Sequence, residues 1–247
     1  MSSFNDSLKH IALKELLIVI ILLFLLQTCL NYFNLFNFDS TWVYFIIVLF
    51  FIYKLKNHFN DAILDFKEVF NTQNLKSILL ITVLNIFLSY LCLYIADFIL
   101  IDFFSFNTLF QSVLGVSLFS IIIISPISEE LIFRGVFYNR LNLVIPTIIA
   151  ILISAILFAS LHSFGSLFSS FVFALSMSIL YIKTDNIFVP ITAHFLNNLI
   201  AEVVVLSDKG NILFTNTSVI YIVSVLGVLS FIIILIWIVK QLNTIKD

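Results

Sequence analysis

Three stretches of the chain set ionisable and amide side chains among apolar ones. They are Ser125-Pro126-Ile127-Ser128-Glu129-Glu130-Leu131-Ile132-Phe133-Arg134-Gly135, Phe158-Ala159-Ser160-Leu161-His162 and Pro190-Ile191-Thr192-Ala193-His194-Phe195-Leu196-Asn197-Asn198. Glu130 and Arg134 stand four apart, so on a helix they share a face and neutralise each other. Glu129 points about 100° further round and lacks that partner, which suits a carboxyl that moves protons. The alternative is a pair of glutamates solvated at a membrane boundary. His194 and Asn198 are also four apart and share a face. Pro190, one turn earlier, removes a backbone hydrogen bond and predicts a kink. A single histidine inside a membrane is often a hydrogen-bonded core residue, but two polar groups aimed at one spot argue against that here.

One carboxyl, two imidazoles and an amide suffice for peptide hydrolysis, which needs a water, a base to deprotonate it and donors for the oxyanion. Glu129 fits the base. His162, His194 and Asn198 fit either oxyanion donors or metal ligands. Two histidines and a carboxylate form a known zinc ligand set. However, there is no His-Glu-x-x-His, and if Glu129 bound the metal no second free carboxylate would remain as base. No cofactor is therefore favoured, and zinc held by His162, His194 and Glu129 is the alternative. No Gly-x-Ser-x-Gly elbow supports serine catalysis.

These residues are embedded in a chain of 247 residues that is 62% hydrophobic and 11% charged, with a mean hydropathy of +1.17. Soluble domains carry about 25% charged residues, so this is an integral membrane protein. Five Gly and three Pro favour long helices, and the alternating pattern of a β-barrel is absent. The net charge of -2 gives no nucleic-acid footprint. Cys29 and Cys92 lie in apolar runs and read as small hydrophobes. The expected fold is all-α: one polytopic membrane domain over 1–247, a bundle of eight transmembrane helices.

The eight apolar runs are Leu16–Leu30, Phe38–Tyr53, Ser77–Ile101, Gln111–Leu141, Leu143–Leu161, Phe164–Ile182, Ile187–Leu206 and Ser218–Val239. No small-residue cleavage site follows Leu30, so the first run is expected to be retained. With both termini in the cytoplasm, eleven of the 12 Lys and Arg fall on the cytoplasmic side and only Lys209 lies outside. Within 57–76, Phe59, Ile63, Phe66 and Phe70 recur at helical spacing between charged residues, which reads either as an amphipathic helix on the cytoplasmic face or, the more favoured reading, as a connector that buries its phenylalanines where it can. The Phe-rich stretch Phe103–Phe110 is expected at the outer interface. No internal repeat points to an inverted-repeat transporter.

Helical rise places the polar residues at matching depths. If the fourth run continues as helix to Arg140, Glu129 lies about 16 Å above it, and His194 lies about 16 Å above Lys183. Asn198 is a turn deeper, and His162 lies about 24 Å from Pro146, expected as the first residue of its helix. Tilt or a kink at Pro126 closes the remaining gap. Glu129, His162, His194 and Asn198 are thus expected to converge in a cavity reached from the cytoplasm.

The three segments resemble the motifs of the CPBP family, also called the Abi family, of type II CAAX prenyl endopeptidases and bacteriocin-processing intramembrane proteases. Glu-Glu-x-x-x-Arg stands as Glu129, Glu130 and Arg134, Phe-x-x-x-His as Phe158 and His162, and His-x-x-x-Asn as His194 and Asn198. The resemblance covers about 111–205, and eight spans is also the family's count. It implies a catalytic core with Glu129 activating water, the two histidines and Asn198 completing the site, and Glu130, Arg134 and Phe158 as structural support. The expected function is an intramembrane endopeptidase of the cell membrane that acts on hydrophobic peptides or lipid-tethered protein ends, with membrane lipids as its surroundings and no nucleic acid as partner. The alternatives are an immunity or scaffold protein that keeps the fold without the activity, and, less favoured, a proton-coupled transporter.

Overall fold

The computed structural model describes residues 3–33, 38–100, 117–162 and 166–245, all helix or connecting turn. In chain order the helices are α1 (Ser3–Lys9), α2 (Leu13–Tyr32), α3 (Ser40–Leu55), α4 (Phe59–Glu68) and α5 (Thr72–Leu100). A helical run, α6, spans 118–141. It is followed by α7 (Thr147–Ser160), α8 (Leu167–Thr184), α9 (Phe188–Ser207), α10 (Ile212–Thr215) and α11 (Thr217–Leu242).

Among the described residues six helices are long and apolar enough to cross a membrane: Leu13–Tyr32, Ser40–Glu68, Thr72–Phe98, Leu167–Thr184, Phe188–Ser207 and Thr217–Leu242. The expected fifth run forms only the 14-residue α7, about 21 Å long against a hydrocarbon core of about 30 Å. The expected fourth run, α6, carries the two glutamates and Arg134, and its first residues, 111–116, lie outside the described residues. So does the Phe103–Phe110 stretch.

The middle of the bundle is α5, which packs against α8, α9 and α11. A Cβ at Gly227 would stand 2.6 Å from Leu91 Cβ and 2.8 Å from the Phe87 carbonyl, so only glycine lets α11 lie this close to α5. On the other side α3 and α9 clasp the Ser125–Glu130 segment of α6, and α7 pairs with α8.

Along α6, π-helical turns at Ser120–Ile124 and Leu131–Tyr138 flank the α-helical Ser125–Glu130. Pro126 explains the first. Its ring would strike the carbonyl four residues back in an α-helix, and a widened turn relieves that clash. Pro190 behaves differently from the expected kink. It is the third residue of α9, where the backbone N–H has no intrahelical partner to lose. Pro146 caps α7 and Thr147 is its first residue, one position later than expected.

At one end of the bundle α1 ties the chain down. Asn5 is fully buried; its Nδ2 donates to Asp185 Oδ1 at 3.3 Å and its Oδ1 accepts from Ile187 N–H at 3.2 Å. The Arg140 guanidinium donates to the Ile11 carbonyl at 3.1 and 2.8 Å. On α4 and just beyond, Phe59, Ile63, Phe66 and Phe70 remain exposed, the surface an interfacial helix offers to lipid. Cys29 and Cys92 are unpaired.

Candidate active site

Glu130 and Arg134 are both fully buried, and Arg134 Nη1 donates to Glu130 Oε1 at 3.1 Å. Its Nη2 donates to the Ala174 carbonyl on α8 at 2.9 Å. The guanidinium carbon lies 4.8 Å above the Phe158 ring, a cation–π contact in a dry setting. Phe158 also stacks on His162 at 4.7 Å and meets His194 edge-on at 5.9 Å. One ring therefore spaces the arginine and both imidazoles.

The partners of the histidines decide their tautomers. His194 Nδ1 lies 2.9 Å from Glu130 Oε1, and a carboxylate accepts, so Nδ1–H donates. His162 Nδ1 lies 3.0 Å from the Phe158 carbonyl, again an acceptor. In the neutral tautomer with this proton on Nδ1, each ring keeps a lone pair on Nε2. His194 Nε2 is 3.9 Å from Glu129 Oε2, beyond a direct hydrogen bond.

Glu129 is held on its other side. Ser125 Oγ, one turn earlier, donates to Glu129 Oε1. The Tyr44 hydroxyl on α3 also faces Glu129 and Ser125. Neither residue was assigned a role from the sequence. Ser125 was visible by its i, i+4 spacing to Glu129, whereas Tyr44 lies 85 positions from Glu129 and had no signal. Asn198 Nδ2 donates to the Ile121 carbonyl at 2.9 Å, and among the described residues its second N–H has no partner.

A cavity of about 160 Å³ is lined by His162, His194 and Asn198 together with Asn85, Ser89 and Ser170. The sequence placed four residues around one cavity. Glu129 is not among its walls and meets the group through His194. A larger cleft of about 440 Å³, at His10, Glu15, Lys54 and His58, contains none of the motif residues.

A zinc site was the alternative reading of the same side chains. Both imidazoles are anchored through Nδ1 as metal ligands often are. Yet among the described residues no three His, Cys, Asp or Glu side chains are grouped closely enough to hold one ion, and zinc takes four ligands at about 2 Å.

Comparison with curated proteins and with solved structures gives no match. A family model does match. Six helices able to cross a membrane and a membrane-protease family together make this a multi-pass membrane protein. Over residues 111–200, the stretch that carries Glu129, Arg134, His162, His194 and Asn198, the chain matches the family described as type II CAAX prenyl endopeptidase Rce1-like, which is the CPBP family its motifs resemble.

Proposed function

We propose that this protein is an intramembrane endopeptidase of the cell membrane that hydrolyses hydrophobic or lipid-tethered peptides with a water activated by Glu129. The observation that carries this reading is the placement of the Glu129 carboxylate. Ser125 holds one of its oxygens, and the other lies 3.9 Å from an imidazole nitrogen that has a free lone pair. A water between them gives one proton to Glu129 while His194 Nε2 accepts its other hydrogen. The water oxygen bonds to the peptide carbonyl carbon, and the carbonyl oxygen takes up the charge. The uncommitted Asn198 N–H donates to that oxyanion. The C–N bond then breaks and Glu129 returns its proton to the leaving amine. With Nδ1 as their donor, the neutral histidines orient the water rather than donate to the oxyanion, a narrower role than the residue types alone suggested.

In this reading α6 and α7 complete eight membrane-embedded helices, with both termini in the cytoplasm. A reporter active only outside the cytoplasm, fused after Asp247, stays silent if this topology is right. The family's name points to a prenylated protein end as substrate class, and a hydrophobic peptide leader is the other substrate of the same chemistry. Mass spectrometry of membrane peptides from cells with Glu129 or Glu129→Gln tests the activity. Products should vanish with the variant, whose turnover falls about 10²–10⁴-fold, while the protein accumulates as before. Unchanged products would leave a scaffold role standing instead.

A further inference from the structure

The cavity beside the histidines is built for a ligand of definite chemistry. Asn85 on α5 is 4% exposed. Its Nδ2 donates to Asn197 Oδ1 at 2.9 Å, and Asn197 Nδ2 in turn reaches Asn198 Oδ1 at 3.4 Å. The Asn85 Oδ1 is buried and has no hydrogen-bond partner among the described residues. A buried amide oxygen left unpaired is destabilising, so its retention next to a catalytic cluster needs a reason.

The walls narrow the answer. Among the described residues no Asp, Glu, Lys or Arg lines the cavity, so a charged headgroup finds no partner of opposite charge in these walls. Ser89 and Ser170 add hydroxyls that donate or accept, and Phe158 and Phe173 close the sides. A neutral ligand with N–H donors and C=O acceptors is matched. In the membrane a peptide opened for cleavage exposes both groups and finds no water to satisfy them.

We propose that this cavity holds the substrate main chain beside the scissile bond, and that Asn85 Oδ1 accepts a substrate peptide N–H. The proposal rests on the hydrolase reading and adds a binding residue from α5, outside the matched stretch 111–200. The Asn85–Asn197–Asn198 chain then links recognition to the amide that receives the oxyanion: a substrate N–H on Asn85 and its carbonyl oxygen at Asn198 belong to one strand of peptide.

The test uses the full chain in lipid nanodiscs, with Glu129→Gln so that the peptide is not consumed. The probe is a fluorescein-labelled hydrophobic peptide in which a farnesylcysteine is followed by three further residues. It is compared by anisotropy with analogues in which one amide at a time is an ester and so lacks the N–H. One ester analogue is expected to bind about tenfold more weakly than the amide. The difference should vanish with Asn85→Leu and persist with Asn85→Asp, which keeps an acceptor oxygen.

Failure of the probe to bind, equal binding of all analogues to the Asn85 chain, or a difference that survives Asn85→Leu would each overturn the proposal, and the first two need no substitution at Asn85. In the chain with Glu129 intact, a binding role for Asn85 raises KM in Asn85→Leu. A role confined to propping Asn198 lowers kcat alone and would also overturn it. Cleavage without an Asn85-dependent ester difference strikes the subsite only. The ester difference without cleavage strikes the hydrolase reading only.

Discussion

The Asn198 amide donates to the Ile121 carbonyl at 2.9 Å across the interface of α9 and α6. Pro126 explains why that carbonyl is free. In the π turn before it, the Ser125 N–H reaches back five residues to Ser120. The next bond in the same pattern would run from residue 126 to Ile121, and proline has no N–H to give. The third motif thus anchors to a defect created just before the first.

Pro126→Ala should therefore separate stability from activity. The restored N–H competes for the Ile121 carbonyl, and a residue that costs about 3 kcal/mol in a helix interior is gone. Thermal unfolding in nanodiscs is expected at an equal or higher temperature, with peptide cleavage about tenfold slower as Asn198 loses its anchor. Cleavage at the parental rate would show that the anchor does not set the amide's position.

Glu130 and Arg134 should behave as a buried pair. Removing either partner alone, as in Arg134→Leu, leaves an uncompensated charge and is expected to destabilise by about 3–5 kcal/mol. Glu130→Leu with Arg134→Leu should recover most of that stability, because paired apolar replacements are often neutral. Activity should not recover, since His194 Nδ1 loses the Glu130 oxygen 2.9 Å away. Denaturation and cleavage assays on the two single variants and the double variant check this; a double variant that cleaves normally would remove Glu130 from the positioning of His194.

Ser125→Ala removes one hydrogen bond to Glu129 Oε1 and only a hydroxyl of volume. Stability should change by about 1 kcal/mol or less, while kcat falls about tenfold with KM unchanged as the carboxylate gains freedom. Tyr44→Phe deletes the other hydroxyl near the same carboxylate and should act in the same direction. Additive losses in the double variant would mean that the two hydroxyls hold Glu129 independently.

Metal removal should leave cleavage intact. In the proposed mechanism Glu129 is a base and not a ligand, and the ligand grouping that zinc requires is missing among the described residues. Purified protein assayed after exhaustive chelation is expected to retain its rate. Stoichiometric zinc, with activity lost on its removal and regained on its return, would move Glu129 from base to ligand.

Most of the helices and the members of the candidate site were legible in the sequence because both are written locally. Apolar runs record the thickness of the bilayer, and pairs such as Glu130 with Arg134 record the helical turn. The span count was less legible: α7 is too short by length alone, and α6 mixes charges with apolar residues. Chain order contains no information on which proline bends a helix. Pro190 falls in a first turn and costs nothing, while Pro126 falls inside a helix and reshapes it.

Tertiary packing decided the rest. The tautomers of His162 and His194 follow from acceptors that folding places at their Nδ1 atoms. Tyr44 reaches Glu129 because α3 packs against the Ser125–Glu130 segment. Asn85 meets Asn197 across 112 residues of chain. A hydrogen bond depends on distances of a few tenths of an ångström, and helical periodicity fixes such distances within one helix but not between helices whose crossing is set by side chains along their whole length.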